Sequence, residues 1–250
     1  MSAPASRQSI IRRGCRDSKI RVWIDQVYRV SEDGEILDTT AVLDLLYAND
    51  LERYLAKHGS PRETDITHLN DVEPLPASIA DEYPLFRAGD LLVSIRNLHL
   101  VFVYDPATDV VKWHMSEPFI VQHDPDFIGD GWIGVFDNNR DFTERGRLTG
   151  SSRVVAVQPH TDSVEVRFPT SRSESFYTDT MGKWQQLANG NMLLAETKAG
   201  RVVEVPPDGS TAWELVRPPY NDSKVPRVPR AARFDLVPED VSSWSCSSDE

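Results

Sequence analysis

Gly190-Asn191-Met192-Leu193-Leu194-Ala195-Glu196 leads into Arg201-Val202-Val203-Glu204-Val205, turns at Pro206-Pro207-Asp208-Gly209 and ends on Ala212-Trp213-Glu214. The same order stands earlier, where Gly89-Asp90-Leu91-Leu92-Val93-Ser94-Ile95-Arg96 is followed by Leu100-Val101-Phe102-Val103-Tyr104-Asp105-Pro106 and then Val110-Val111-Lys112-Trp113. A looser copy starts at Gly131-Trp132-Ile133-Gly134-Val135-Phe136 and continues through Arg153–Val157 and Val164–Val166. Val22–Val30, with the turn Glu32-Asp33-Gly34-Glu35, reads as a partial fourth. Short β-branched runs separated by Gly, Asp, Asn or Pro are the pattern of hairpin-connected antiparallel strands. A lone small sheet cannot bury its faces, so neighbouring copies must pack against one another around an axis, and an aromatic on the last strand suits that packing. The expected fold is an all-β β-propeller of about four recognisable blades, which also fits a segment of a larger six-bladed ring.

The expected organisation is an N-terminal extension over residues 1–21, blades over 22–217, and an extended, partly disordered tail over 218–250. Leu43, Leu45, Leu46, Leu51, Tyr54 and Leu55 have helical rather than alternating spacing, so residues 43–57 read as a helical insertion. The chain has 250 residues, 40% of them hydrophobic, enough for a real core. Its net charge of −12 opposes binding to nucleic acid or anionic lipid. The run Arg12, Arg13, Arg16, Lys19 and Arg21 reads as a solvated entry segment. No stretch of about 18 apolar residues could span a bilayer, and Met1–Asp17 lacks the apolar run of a secretory signal. Cys15 and Cys246 are as readily two free thiols as one bridge.

Three polar clusters precede the Gly-started strands: Asp65-Ile66-Thr67-His68-Leu69-Asn70-Asp71, Gln122-His123-Asp124-Pro125-Asp126, and Met181-Gly182-Lys183-Trp184-Gln185-Gln186. In a propeller the first strand of each blade lines the axis, so equivalent positions converge although distant in sequence. His68, His123 and Gln185 or Gln186 are then expected to face one pocket. Imidazole can act there as base, nucleophile or metal ligand, or as a structural hydrogen-bonder. No compact metal-ligand spacing, phosphate loop or Gly-x-Ser-x-Gly elbow occurs. His58, His99, His114 and His160 sit in the insertion, between strands, or in outer turns, and are weaker candidates.

These stretches, together with Val135-Phe136-Asp137-Asn138 and Gln186-Leu187-Ala188-Asn189-Gly190-Asn191-Met192-Leu193, resemble the bacterial arylsulfotransferase family. The resemblance covers most of Asp65–Trp213. It implies a propeller with a site in its central funnel and transfer of a sulfuryl group from a phenolic sulfate ester to a phenol, through a sulfated histidine and without a nucleotide donor; no cofactor or metal is expected. It also implies His68 and His123 as catalytic sulfuryl holders, with Arg145 the chosen cation and Arg140 and Arg147 the alternatives. Asn70, Arg96, Asn138 and Gln186 become substrate-binding residues. A periplasmic or other extracytoplasmic location would fit the family. The family's nucleophilic histidine comes from a later blade, whereas Tyr177–Gln186 contains none. Either His68 or His123 has taken that role, or the pocket binds without turnover.

Overall fold

The chain builds β1 (Ala5–Ile10), β2 (Ile20–Val30) and β3 (Ile36–Ala41), then the short helix α1 (Val42–Ala48) and a 3₁₀ segment, Glu52–Lys57. Three four-stranded units follow: β4 (Leu69–Pro74), β5 (Leu91–Ile95), β6 (Leu100–Asp105) and β7 (Val110–Met115); β8 (His123–Phe127), β9 (Ile133–Asp137), β10 (Arg153–Gln158) and β11 (Ser163–Phe168); β12 (Trp184–Gln186), β13 (Met192–Glu196), β14 (Arg201–Val205) and β15 (Trp213–Val216). The computed structural model describes residues 5–10, 20–57, 64–143, 145–221, 224–242 and 244; Cys15, Cys246 and His58 lie outside them.

Each unit is an antiparallel meander in which sequence neighbours pair throughout, giving the orders β4-β5-β6-β7, β8-β9-β10-β11 and β12-β13-β14-β15. These are three β-propeller blades. The N-terminal run forms a three-stranded sheet, β1-β2-β3, because the chain turns into α1 directly after β3 instead of adding an outer strand.

Alternation decides how the blades stack. Strand β6 is buried at all six positions, and successive side chains of a strand point to opposite faces. Val101 and Val103, with Leu92 and Trp113, meet Ile133, Val135, Val155 and Val157 of the second blade. Leu100, Phe102 and Tyr104 point the other way, onto Val42, Leu45, Leu46 and Leu51 of the helical insertion. The second and third blades join through Phe136, Val154, Phe168 and Phe176 against Trp184, Met192, Leu194 and Val203. Here β9 must lie very close to Trp184: a Cβ on Gly134 would sit 2.1 Å from its ring. The far face of the third blade, Leu187, Leu193 and Val202, is covered by Val228 and Ala231 of the C-terminal segment. Thus the helical insertion closes one end of the row of blades and the tail closes the other. Among the described residues, no helix is long and apolar enough to cross a membrane.

Candidate functional site

Where the innermost strands begin, β4 and β8 lie side by side. Asn70 donates its side-chain N–H to the Gln122 carbonyl at 2.8 Å, tying the start of β4 to the residue before His123. Gln122 is fully buried and donates to Ser94 Oγ and to the Ile95 and Leu100 carbonyls, which locks the second blade onto the first. His99 accepts the Val121 backbone N–H at 2.9 Å, fixing the approach to His123 from the other side.

The hydrogen bonds of His123 define its tautomer. Asn138 is fully buried, and its amide N–H group donates to the Thr178 and Met181 carbonyls, at 2.7 and 2.8 Å. That orients its Oδ1 towards His123 Nδ1, 2.6 Å away, and the Val121 carbonyl lies 3.2 Å from the same nitrogen. Two acceptors face Nδ1, so Nδ1 carries the proton and the neutral ring keeps its lone pair on Nε2. Among the described residues no hydrogen bond engages that Nε2. Burial pushes the His123 pKa down to about 4; the Asn138 acceptor opposes this shift, and the charges of Arg96 and His68 reinforce it. Both therefore stand within electrostatic reach of His123.

His68 is held differently. Its Nδ1 donates to Asp65 Oδ2 at 2.5 Å, and both side chains remain 39% exposed. Its backbone takes a left-handed conformation, φ 53°, stabilised on each side by Asp25, whose Oδ2 accepts the Thr67 hydroxyl and the Leu69 N–H. Arg96 is half-buried at the end of β5, and its backbone N–H donates to the His68 carbonyl.

Beside the histidines is a seam of carboxyls, Asp71 and Glu73 on β4 and Asp124 and Asp126 on β8. Lys183 bonds Asp124 Oδ1 at 2.5 Å, while Asp124 Oδ2 accepts the Trp184 N–H, so the third blade enters through this ion pair. Burial raises Asp71 to about 7, with the Asp124 charge adding to the effect. Asp126 is pushed up to about 10, first by burial and then by Asp124 and Glu73. Glu73 is raised by burial too, and it hydrogen-bonds Asp126. Two carboxyls can share such a bond only if one keeps its proton.

The expected site residues do not all meet. His68, Arg96 and His123 form one neighbourhood, and Asn70 braces it. Asn138 stands behind His123 with its polar atoms engaged, so its visible task is to hold the ring. Arg145 is exposed on the β9–β10 loop, with no hydrogen bond or ion pair to either histidine. Arg140 stacks on Phe142, its guanidinium carbon 4.7 Å from the ring centroid, and Arg147 is exposed. Gln186 pairs with Met192 at the far end of β12 from Lys183, and lines a depression shared with Arg233 and Asp235. Gln185 is taken up by the tail, exchanging two hydrogen bonds with the Arg233 backbone. Strand direction explains this: only the opening residues of β4, β8 and β12 share one end of the blades, and Gln186 closes its strand. Asp65 and Lys183 stood in the polar clusters and His99 among the weaker histidines, but sequence reasoning assigned none of the three a site role.

Among the described residues no group of three His, Cys, Asp or Glu side chains is arranged to hold a metal ion. An apolar cavity of about 240 Å³ opens away from the histidines, between the N-terminal sheet and the first blade, beside Val27, Val72, Leu91 and Tyr104.

Stacked four-stranded meanders with polar residues at the mouths of their inner strands define a β-propeller protein. The sequence profile described as Arylsulfotransferase (ASST) matches residues 13–217, most of the chain, and the protein belongs to that family. Among curated proteins none matches. Of solved structures, a protein of unknown function from Bacteroides caccae is similar at a TM-score of 0.51 and 14% identity, over 86% of this chain and 69% of that one. The WD40 β-propeller domain of Doa1 is similar at a TM-score of 0.44 and 12% identity, over 79% of this chain and 51% of that one. The first likeness concerns the fold alone.

Proposed function

We propose that the protein transfers a sulfuryl group from an aryl sulfate ester to a phenol, with His123 Nε2 as the atom that takes the group in transit. The fixed tautomer of His123 carries this reading: a neutral imidazole with its lone pair on Nε2 is a nucleophile at any pH above about 4. In the first half-reaction Nε2 attacks sulfur, an N–S bond forms and the bond to the aryl oxygen breaks. In the second, the acceptor oxygen attacks the same sulfur and the N–S bond breaks, restoring His123. Arg96 and His68 supply positive charge to the sulfuryl oxygens, where negative charge is spread during transfer. Lys183 and the proton kept by the Glu73–Asp126 pair soften the repulsion that four nearby carboxyls would exert on an anion.

The absence of histidine from Tyr177–Gln186 favours a second reading, a pocket that binds an aryl anion without turnover. In this chain the segment serves other ends: Thr178 and Met181 hold Asn138, and Lys183 holds Asp124. Incubation with p-nitrophenyl sulfate and phenol separates the two. Acceptor-dependent nitrophenol release, abolished in His123→Ala, supports transfer; binding without release supports the module.

A further inference from the structure

The two imidazoles are held by different chemistry, a neutral amide for His123 and a carboxylate for His68. We propose that Asp65 is a positioning residue that orients His68 as the proton carrier of the site, giving a proton to the departing aryl oxygen and taking one from the acceptor phenol. This rests on the transfer reading above and assigns a role that the holding of sulfuryl oxygens does not require.

Asp65 accepts from Nδ1, so the exchangeable position of His68 is Nε2. Both partners are fixed independently. The Asp65 carbonyl accepts from the Asn97 side chain at 2.7 Å, and its backbone bridges to Trp23. His68 is clasped through Thr67 and Leu69 by Asp25, as described. The 39% exposure of both side chains lets a proton exchange with solvent between half-reactions, whereas half-buried His123, whose Nδ1 is tied to Asn138, suits a covalent role. When the aryl–oxygen bond to sulfur breaks, its electron pair stays on the phenolic oxygen, which takes the Nε2 proton of His68. When the acceptor attacks, its hydroxyl proton returns to Nε2, and no oxidant, reductant or further reactant is needed.

The experiment compares two donors, p-nitrophenyl sulfate, whose leaving group departs readily as the anion, and phenyl sulfate, whose leaving group needs a proton. In Asp65→Asn, kcat/KM for phenyl sulfate should fall about 100-fold while that for p-nitrophenyl sulfate falls less than about threefold, in keeping with the worth of a general acid. His68→Gln should lower both donors, since His68 also faces the sulfuryl oxygens, but should cost phenyl sulfate about 30-fold more than p-nitrophenyl sulfate, which guards against poor folding of the first variant. Equal losses on both donors, or none, would overturn the proposal while leaving transfer intact. A wild type inert towards both donors would overturn the transfer reading first and this proposal with it.

Discussion

Replacing Asp126 by Asn tests the carboxyl seam. In the native protein Asp126 is raised to about 10, by burial first and by Asp124 and Glu73 next, so the Glu73–Asp126 pair enters neutral pH with a proton still bound. The unfolded chain releases that proton near 3.8. A folded-state pKa above the unfolded one gives stability that is complete below pH 3.8 and is lost as pH rises towards the folded pKa. Over the roughly three units up to pH 7, at about 1.4 kcal/mol each, the loss has a ceiling of about 4 kcal/mol. Local relaxation and water entry reduce it, so about 1–3 kcal/mol is expected. Asparagine needs no proton and can donate its amide to Glu73, so Asp126→Asn should be more stable than wild type by that amount at pH 7 and nearly equal to it at pH 4. Urea denaturation at both pH values measures this. His123 acts in the opposite sense, its contribution being complete above about 6.5 and lost as pH falls through about 4, so the difference between variant and wild type is the quantity to compare. A variant less stable than wild type at pH 7, or a difference independent of pH, would refute the shared proton.

Further predictions concern the site and the seams. His123→Ala should reduce acceptor-dependent transfer by about 10³-fold or more, as loss of a nucleophile does, in a protein that stays folded with a somewhat lower thermal melt because Asn138 Oδ1 loses its partner. In wild type the acid limb of kcat/KM should fall near pH 4 rather than near the ordinary imidazole value, as read from the rate across pH 3–8. Gly134→Ala should cost about 1–3 kcal/mol in chemical denaturation, because the new Cβ meets the buried Trp184 ring at 2.1 Å. Val228→Asp should cost about 1–3 kcal/mol and increase binding of an apolar dye, since Val228 covers Leu187, Leu193 and Val202.

The blades were legible because their information is local. Short β-branched and aromatic runs such as Leu100–Tyr104 name the strand, and the Gly-started turns name the hairpins. The placing of His68 and His123 at the openings of β4 and β8 followed from repeat position. The partners that give the histidines their chemistry were not legible. Asn138 reaches His123 across 15 positions and is oriented by carbonyls 40 and 43 positions further on. An apolar or polar letter does not tell whether an Asn faces a ligand or the back of an imidazole. Gln186 was misleading for a related reason: it neighbours the right motif, but its place in the strand carries it to the opposite end. The tail reads as an extended wrap, but the face it covers was hidden, since a Pro-rich, irregular sequence carries no periodic signature.

The location of the histidines at blade seams has a physical consequence. No single blade owns the site: His123 opens the second blade, its supporting Asn138 is steered by the approach to the third, and the residue before it is bonded to Asn70, Ser94, Ile95 and Leu100 of the first. Buried polar contacts of this kind are costly when half made, so Gln122 and Asn138 favour one blade-to-blade register over nearby alternatives that apolar packing alone would tolerate. The register that satisfies Gln122 also sets the entry of β8, and with it His123. Precision at the imidazoles is thus a property of the packing between blades. A segment that has no histidine, Thr178–Met181, still governs the chemistry by deciding which nitrogen of His123 holds the proton.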